Sequence, residues 1–352
     1  MTLTPSSSAR MQAFASGGLF VLRRLATAAI ALLGVTLIVF LLSRNVGDPV
    51  YLLMGQTGTQ EQLDALREAN GFNRPLYVQY FDYLGGLLQG DLGSSTFNRR
   101  PVVEELANYF PATLELSIAA LILGVLITVP LGIIAALKPG TWVDRFTAGF
   151  VRFGVAMPTF WFGILLIFLF VYVLKIAPAP TGELDIGILP PETITGMTVI
   201  DAALTGNQRA LGSAIEHLIL PTITLALGSF PALLALTQTV TTKVLRSDYI
   251  RTARASGLSP ATTYGVYALK NVAPPVITQI AMTFGYLLGG TVLVETVFAW
   301  PGIGQYSVQS MQRVDFEPVL GVAILTSAVY LALYFIADLI SLAIDPRIRH
   351  AR

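Results

Sequence analysis

The chain has 352 residues, 54% of them hydrophobic and only 12% charged, about half the charged fraction of an ordinary soluble domain. Its 22 Lys and Arg nearly balance 21 Asp and Glu, which leaves no basic field for nucleic acid. Cysteine is absent and histidine occurs only at His217 and His350, so disulfides, thiolate zinc sites, iron–sulfur clusters and cysteine nucleophiles are excluded.

Residues 1–20, with PSSS at Pro5 to Ser8, read as a disordered lead. Arg23 and Arg24 precede an apolar run ending at Leu42 that is too long for a signal peptide. It is followed by Ser43, Arg44 and Asn45 rather than by the small residues of a cleavage site, so 21–43 is expected to be a retained first span (Leu22 to Leu42). Residues 44–109 form a large loop with structure of its own. Thr59 and Gln62 make a capping box for a short helix QEQLDALREAN, Gly71 stands where a C-terminal glycine cap belongs, and GDLGSS (Gly90 to Ser95) reads as a turn.

Residues 110–346 hold the remaining long apolar runs, at Leu114 to Leu137, Phe146 to Leu174, Leu218 to Val240, Val276 to Phe298 and Leu320 to Ile344. Each suffices to cross a hydrocarbon core, which takes about 20 residues. Pro130, Pro158, Pro221 and Pro231 interrupt these runs, and GYLLGG (Gly285 to Gly290) permits close helix approach. The expected architecture is an all-α polytopic membrane protein of six transmembrane helices, with a large extracytoplasmic loop after the first and a tail at 347–352. The N-terminus, the Lys138 to Arg145 turn, a loop at 243–272 and the tail carry thirteen Lys and Arg against Asp144, Asp248 and Asp345, whereas the other loops carry fifteen acidic residues. Positive-inside bias then places both termini in the cytoplasm.

Glu115, Glu295 and Asp338 are the ionisable residues in or near spans, each close enough to a span end to reach interfacial water. Gly47-Asp48 and Gly90-Asp91 put their carboxylates in the first outer loop, and His217 sits at the mouth of the fourth span with no obvious serine partner. The residue types of an intramembrane hydrolase are therefore mostly missing. No lysine follows a glycine, so there is no phosphate-binding loop; if ATP drives this protein, another chain binds it.

Two segments remain polar or rigid without an obvious reason. YIRTARASGL (Tyr249 to Leu258) reads as a helix from Arg246 to Ser256, capped by Gly257 and followed by a new helix start at Ser259-Pro260. Ile250, Ala253 and Gly257 share one narrow side, on which small residues would admit a partner, and Arg251 neighbours Arg254. On the residues alone, these arginines either enforce topology or dock a partner. AWPGIGQ (Ala299 to Gln305) joins a proline and two glycines to an aromatic, a tight re-entrant turn that needs its backbone covered. If the chain moves a solute, Trp300, Pro301, Gly302, Ile303 and Gly304 are expected to form an outer gate over its path.

DYIRTARASGLS resembles the E-A-A-x-x-x-G loop of the inner-membrane permeases of binding-protein-dependent ABC importers, in the form found in the dipeptide/oligopeptide branch. Arg251, Thr252, Ala253 and Gly257 occupy the motif positions, the first two departing from the general pattern, and its later Leu-Pro is replaced by Leu269-Lys270. GDPV from Gly47, GFNRPLYVQYFDYLGGLLQGDLGSS from Gly71, FPATLELS from Phe110, VETVFAWPGIGQ from Val294 and DPRIR from Asp345 resemble further blocks of that branch in the same order. The resemblance implies a type I ABC-importer permease fold, a non-catalytic chain without a cofactor, and a second, similar permease. It also implies two ATPase subunits holding ATP and Mg, and an extracytoplasmic substrate-binding protein. Tyr249, Arg251, Ala253, Arg254 and Gly257 would then form the coupling helix. The implied solute is a short peptide, with a nickel chelate, glutathione or a glycan as alternatives. A stand-alone channel and an intramembrane enzyme are the rivals from other classes.

Overall fold

A computed structural model describes residues 7–45, 59–69 and 73–344. Among these the architecture is helical, with one isolated bridge between Ser94 and Pro101. The Gly71 cap, the GDPV and DPRIR blocks and the 347–352 tail lie outside the described residues.

Helix α1 runs unbroken over Ser7–Asn45, so from Ser7 onward the expected disordered lead is helix. Ala9, Arg10, Met11 and Gln12 are strong helix formers, and a helix already nucleated by the span extends backward at little cost. The first connection contains α2 (Gln60–Ala69) and α3 (Leu76–Leu88). The capping box is made as the sequence predicts: the Thr59 N–H donates to Gln62 Oε1 at 3.0 Å, and the Gln62 N–H to Thr59 Oγ1 at 3.4 Å. Helix α3 lies against α1, its Tyr80 ring 5.4 Å from that of buried Phe40. GDLGSS then turns, with Gly90 and Gly93 at φ 83° and 81° and the Gly93 N–H donating to Asp91.

Helix α4 (Val102–Leu137) has 36 residues and is about 54 Å long, well beyond a hydrocarbon core of about 30 Å. It starts three turns before the expected Leu114, and those turns project past the span. The expected third span is two helices, α5 (Trp142–Ala156) and α6 (Thr159–Ile167, with a π-turn over Phe168–Val173), bent by 101°. The cause is Pro158, which has no N–H to give and forces Met157 to an extended conformation (φ −99°, ψ 124°). Pro231 divides the expected fourth span more gently, since Phe230 before it keeps a near-helical conformation (φ −94°, ψ −8°). Helix α8 (Gln208–Ser229) stops at Phe230 and α9 (Pro231–Leu245) begins with the proline in its first turn. A short α7 (Thr198–Leu204) precedes them.

After α10 (Asp248–Ala255), α11 (Pro260–Gly290) crosses back with a π-turn at Thr263–Ala268. It leads through α12 (Val292–Phe298) and α13 (Ile303–Gln312) to α14 (Phe316–Ile344). Among the described residues five helices are long and apolar enough to cross a membrane, and the bent α5–α6 pair makes six.

Leu116, Leu225, Phe230, Leu233, Leu287 and Trp300 meet in the principal core, which joins α4, α8, α9 and α11 to the loop after α12. Within GYLLGG, Gly285 lies so close to α14 that a Cβ would fall 2.0 Å from the Tyr330 ring. The bundle thus has two ends of different character. Residues 102–115, 174–207 and 291–315 gather at an acidic end. The 138–141 turn and the 246–259 segment sit at a basic one.

Candidate functional site: the coupling segment and the glycine loop

At the basic end, α10 follows Ser247 and stops at Ser256, shorter at each end than Arg246 to Ser256. Gly257 takes φ 74°, which a side chain resists; its N–H donates to the Arg254 carbonyl, and the Leu258 N–H donates to the Ala253 carbonyl. Ser259 then caps the next helix, accepting from the Thr262 N–H at 3.2 Å, with Pro260 in the first turn. The helix, sharp turn and returning helix read from the sequence are all present.

The faces of α10 are distributed differently from expectation. Ile250 is 0% and Ala253 7% exposed, so these two positions rest on this chain and are closed to a partner, whereas Gly257 on the same side is exposed with open space around it. Period 3.6 turns Tyr249, Arg251, Thr252 and Arg254 outward, and all four are exposed. Arg251 pairs with Asp248 one turn back, and the Arg254 guanidinium stands 5.4 Å from the Tyr264 ring centroid. Exposed pairs of this kind hold little energy, up to about 1 kcal/mol, and either arginine is free to be drawn onto another surface. Ala253 holds the helix against this chain, and the four outward residues, with Gly257, make up the exposed surface of the segment.

The glycine loop at the acidic end is built the opposite way. Trp300 is fully buried and donates Nε1–H to the Ala112 carbonyl at 2.9 Å. Glu295, expected within reach of water, is also fully buried. It accepts from the Thr113 hydroxyl at 2.8 Å and from the Gln305 N–H at 2.9 Å, while the Ile303 N–H donates to Thr113 Oγ1 at 2.9 Å. Gly302 and Gly304 are required by this closeness. A Cβ on Gly302 would lie 2.4 Å from the Glu295 carboxyl carbon and from Thr113 Oγ1, and one on Gly304 2.6 Å from the Val292 Cα. Ala299 turns the chain into the loop at φ 52°.

Trp300, Gly302, Ile303 and Gly304 are therefore brought together, with Pro301 half-buried beside them, in a clasp between α4 and α12. Sequence reading missed Thr113 and Glu295 as its anchors. The available signal was that FPATLELS and VETVFAWPGIGQ each set polar residues, Thr113 and Glu295 among them, between the apolar positions of a helix.

Other acidic-end carboxylates do similar work. Glu115 accepts from the Val199 N–H at 2.9 Å, and Asp201 accepts from the N–H groups of Ile194, Thr195 and Gly196. Burial alone would raise Asp201, but these bonds and the Thr195 hydroxyl outweigh it and hold its carboxyl below the ordinary value. Glu183 has one strong partner, the Thr198 hydroxyl at 2.8 Å. Burial, with the nearby Glu115 carboxylate adding, pushes it up to about 7.

Comparison with known proteins accords with this arrangement. Residues 128–350 match the family described as binding-protein-dependent transport system inner membrane component, and residues 19–117 match the N-terminal region described for such membrane components. The chain belongs to this family. It is 42% identical over 316 residues to a probable D,D-dipeptide transport system permease of Escherichia coli K12, covering 90% of this chain and 93% of that one. It is 40% identical to a di/tripeptide transport system permease of Pseudomonas aeruginosa and 36% identical to a dipeptide transport system permease of Escherichia coli K12. Each of these comparisons covers 95% of this chain and 99% of the relative. It is thus a multi-pass inner-membrane permease of the dipeptide-permease type.

One cluster in this permease deserves comparison with a hydrolase site, because His217 has the serine neighbour that the sequence hid. Ser213 lies one turn earlier on α8, its Oγ 3.5 Å from His217 Nδ1, and Asp185 Oδ1 is 3.7 Å from Nε2. The wiring is wrong for nucleophile activation. His217 Nδ1–H donates to the Ser213 carbonyl at 2.9 Å, and the Ser213 hydroxyl donates to Asp185 Oδ2 at 3.1 Å. A base must accept the serine proton, and here neither partner is placed to do so through His217. The cluster fastens the 174–207 segment to α8.

Proposed function

We propose that this chain forms half of the membrane pathway of an ATP-driven importer for short peptides, and that α10 couples that pathway to an ATPase chain. The observation that carries the reading is the outward face of Tyr249, Arg251 and Arg254 on a short helix held from behind by Ile250 and Ala253. A push on such a helix passes directly to α9 and α11, which flank it in the chain. Guanidinium groups suit the docking because they offer a planar fork to carboxylate or carbonyl acceptors.

ATP and Mg belong to two partner ATPase subunits, since this chain has no phosphate-binding loop; the chain itself is non-catalytic. A second, similar permease supplies the other half of the pathway. The substrate-binding protein docks at the acidic end, and both termini are cytoplasmic with the coupling segment. The glycine loop, clasped by Thr113 and Glu295, is a fixed collar at the outer mouth, so any gating moves it together with α4 and α12. A peptide solute is supported by relatives named for D,D-dipeptides, di/tripeptides and dipeptides.

The test is co-expression with the neighbouring transport genes, purification, and uptake into vesicles of glycylglycine, glutathione, a nickel chelate and a glycan. ATP-dependent uptake of the dipeptide by the co-purified complex is expected. Uptake by the isolated chain without ATP would establish a channel, cleavage of the peptide an enzyme, and preference for another solute would overturn the peptide assignment.

A further inference from the structure

Three features converge midway through the bundle, and none belongs to the coupling segment or the glycine loop. The first is a cavity of about 600 Å³ bordered by Ser229, Pro231, Gln279, Thr283, Tyr286 and Tyr330. Tyr330 stands midway along Phe316–Ile344, and Gln279 midway between Leu269 and Gly290. The second is broken backbone at the same depth. The α8–α9 interruption borders the cavity at Ser229 and Pro231, and Pro231 has no N–H to give the Leu227 carbonyl. The α5–α6 bend touches that interruption, since a Cβ on Gly228 would lie 2.3 Å from Thr159 Oγ1. Interrupted helices at membrane depth are tolerated where their backbone is covered by protein or lines a watery path.

The third feature is the chemistry of the lining. It contains hydroxyls and a carboxamide and no charged side chain. Gln279 and Thr283 form one unit on the α11 surface: the Thr283 hydroxyl donates to the Gln279 carbonyl at 2.8 Å, and Gln279 Nε2–H donates to Thr283 Oγ1 at 3.4 Å. A carboxamide both donates and accepts, as a peptide group does. A fixed charge would hold a zwitterion too firmly to release it, whereas neutral hydrogen bonds exchange readily with water.

We propose that this chamber is the transit site of the pathway, and that Gln279, with Ser229 opposite on the broken helix, hydrogen-bonds the amide group of the passing solute. The inference rests on the reading of the chain as a peptide importer and adds the residues that touch the solute. A second cavity, of about 270 Å³, lies between α1 and α14 and shares Met282 and Tyr330 as a common wall. Ala28 lines it, outside the proposed transit site.

Because the chain has no cysteine, single thiols can be placed cleanly. Gln279→Cys, Ser229→Cys and Ala28→Cys are each assembled with the partner subunits and binding protein in vesicles. The rate of labelling of this chain by a small methanethiosulfonate is then followed with and without glycylglycine, under vanadate trapping. At ten times its apparent Kd, glycylglycine should slow labelling at positions 279 and 229 about tenfold and leave position 28 unchanged. Ser229→Cys serves as the second reporter if Gln279→Cys assembles poorly. Unchanged labelling at both chamber positions, or equal slowing at position 28, overturns the transit site. That includes the case in which lipid or the second permease fills the chamber. Glycylglycine uptake by the parent complex is measured in parallel. Uptake without protection removes the site and leaves the importer reading standing; absence of uptake removes both.

Discussion

The two ends of the bundle direct their charges oppositely. At the acidic end Glu105, Glu115, Asp201, Glu295 and Asp315 are all buried; Asp201 accepts from the loop just before it, and the other four accept from N–H groups and hydroxyls far away in the chain. At the basic end Lys243, Arg246, Arg251 and Arg254 are exposed. The chief carboxylate staple there is Asp144, which accepts from the Gly140 N–H and from Gln238. A charge count reads both ends as one topological signal, yet the structure separates a braced end from one whose charges remain available to a partner. A rigid acidic end and a basic end with free charges would suit the lever proposed above.

The comparison breaks first at Glu295. Replacing it by Ala strands the Thr113 hydroxyl and the Gln305 N–H in a buried clasp, and should destabilise the protein by about 3 kcal/mol. Lower membrane abundance and a lower unfolding temperature in detergent are expected, with Glu295→Gln milder. Arg251→Ala and Arg254→Ala should remain within about 0.5 kcal/mol of the parent. Equal losses at both ends would remove the distinction.

Gly257→Leu tests the free end through backbone conformation. Nothing lies within 4 Å of a Cβ at this position, so space is not the obstacle; φ 74° is. Holding an L-residue there costs about 1–2 kcal/mol, enough to displace the α10–α11 turn while leaving the spans in place. Normal insertion with ATP-dependent uptake reduced about tenfold is the expected result, and Gly257→Asn should be milder because Asn tolerates this region. Full uptake by Gly257→Leu would mean that α10 is not the coupling element.

What the sequence revealed and concealed follows the same division. The coupling segment was legible because its cues are local: a glycine cap, a serine N-cap and a proline within a dozen residues. The Thr59–Gln62 capping box was readable for the same reason. The acidic end was not, because Glu295 meets a threonine 182 residues away, and proximity to a span end was mistaken for access to water. Pro158 announced a break, but its 101° angle depends on what α5 and α6 pack against. Ala253 reads from the sequence as a position open to a partner, but it faces inward, a direction fixed by neighbours that periodicity alone does not identify. His217 seemed isolated because Asp185 reaches it from a loop and Ser213 sits one helical turn back.

A smaller effect is expected where the acidic end holds a carboxylate near neutrality. Glu183 is raised from 4.5 to about 7, so between those values the folded protein retains a proton that the unfolded chain has released. Stability from this site is complete below about 4.5 and is lost as pH rises through about 7. Hydrogen exchange at Thr198 to Ile200, whose helix is tied to Glu183 through the Thr198 hydroxyl, should therefore be faster at pH 8 than at pH 6 after correction for intrinsic rates. Glu183→Gln should flatten that dependence. An unaltered pH profile in Glu183→Gln would assign the change to another group.

The finest test exchanges both coupling arginines for lysine, which keeps the charge and removes the fork. If charge at the basic end serves only topology, the double variant should match the parent in insertion, ATPase association and uptake, because positive-inside bias counts lysine and arginine alike. If α10 docks through guanidinium hydrogen bonds, lysine retains the attraction and loses the paired geometry. Insertion and unfolding temperature should then be unchanged, since Arg251 and Arg254 are exposed and their contacts within this chain are weak. Substrate-stimulated ATP hydrolysis should fall by about threefold, less than a full bidentate contact is worth. Measuring hydrolysis and uptake together decides the point: a fall in uptake per ATP places the arginines in the transmission of force, whereas parental values for both would reduce them to markers of topology.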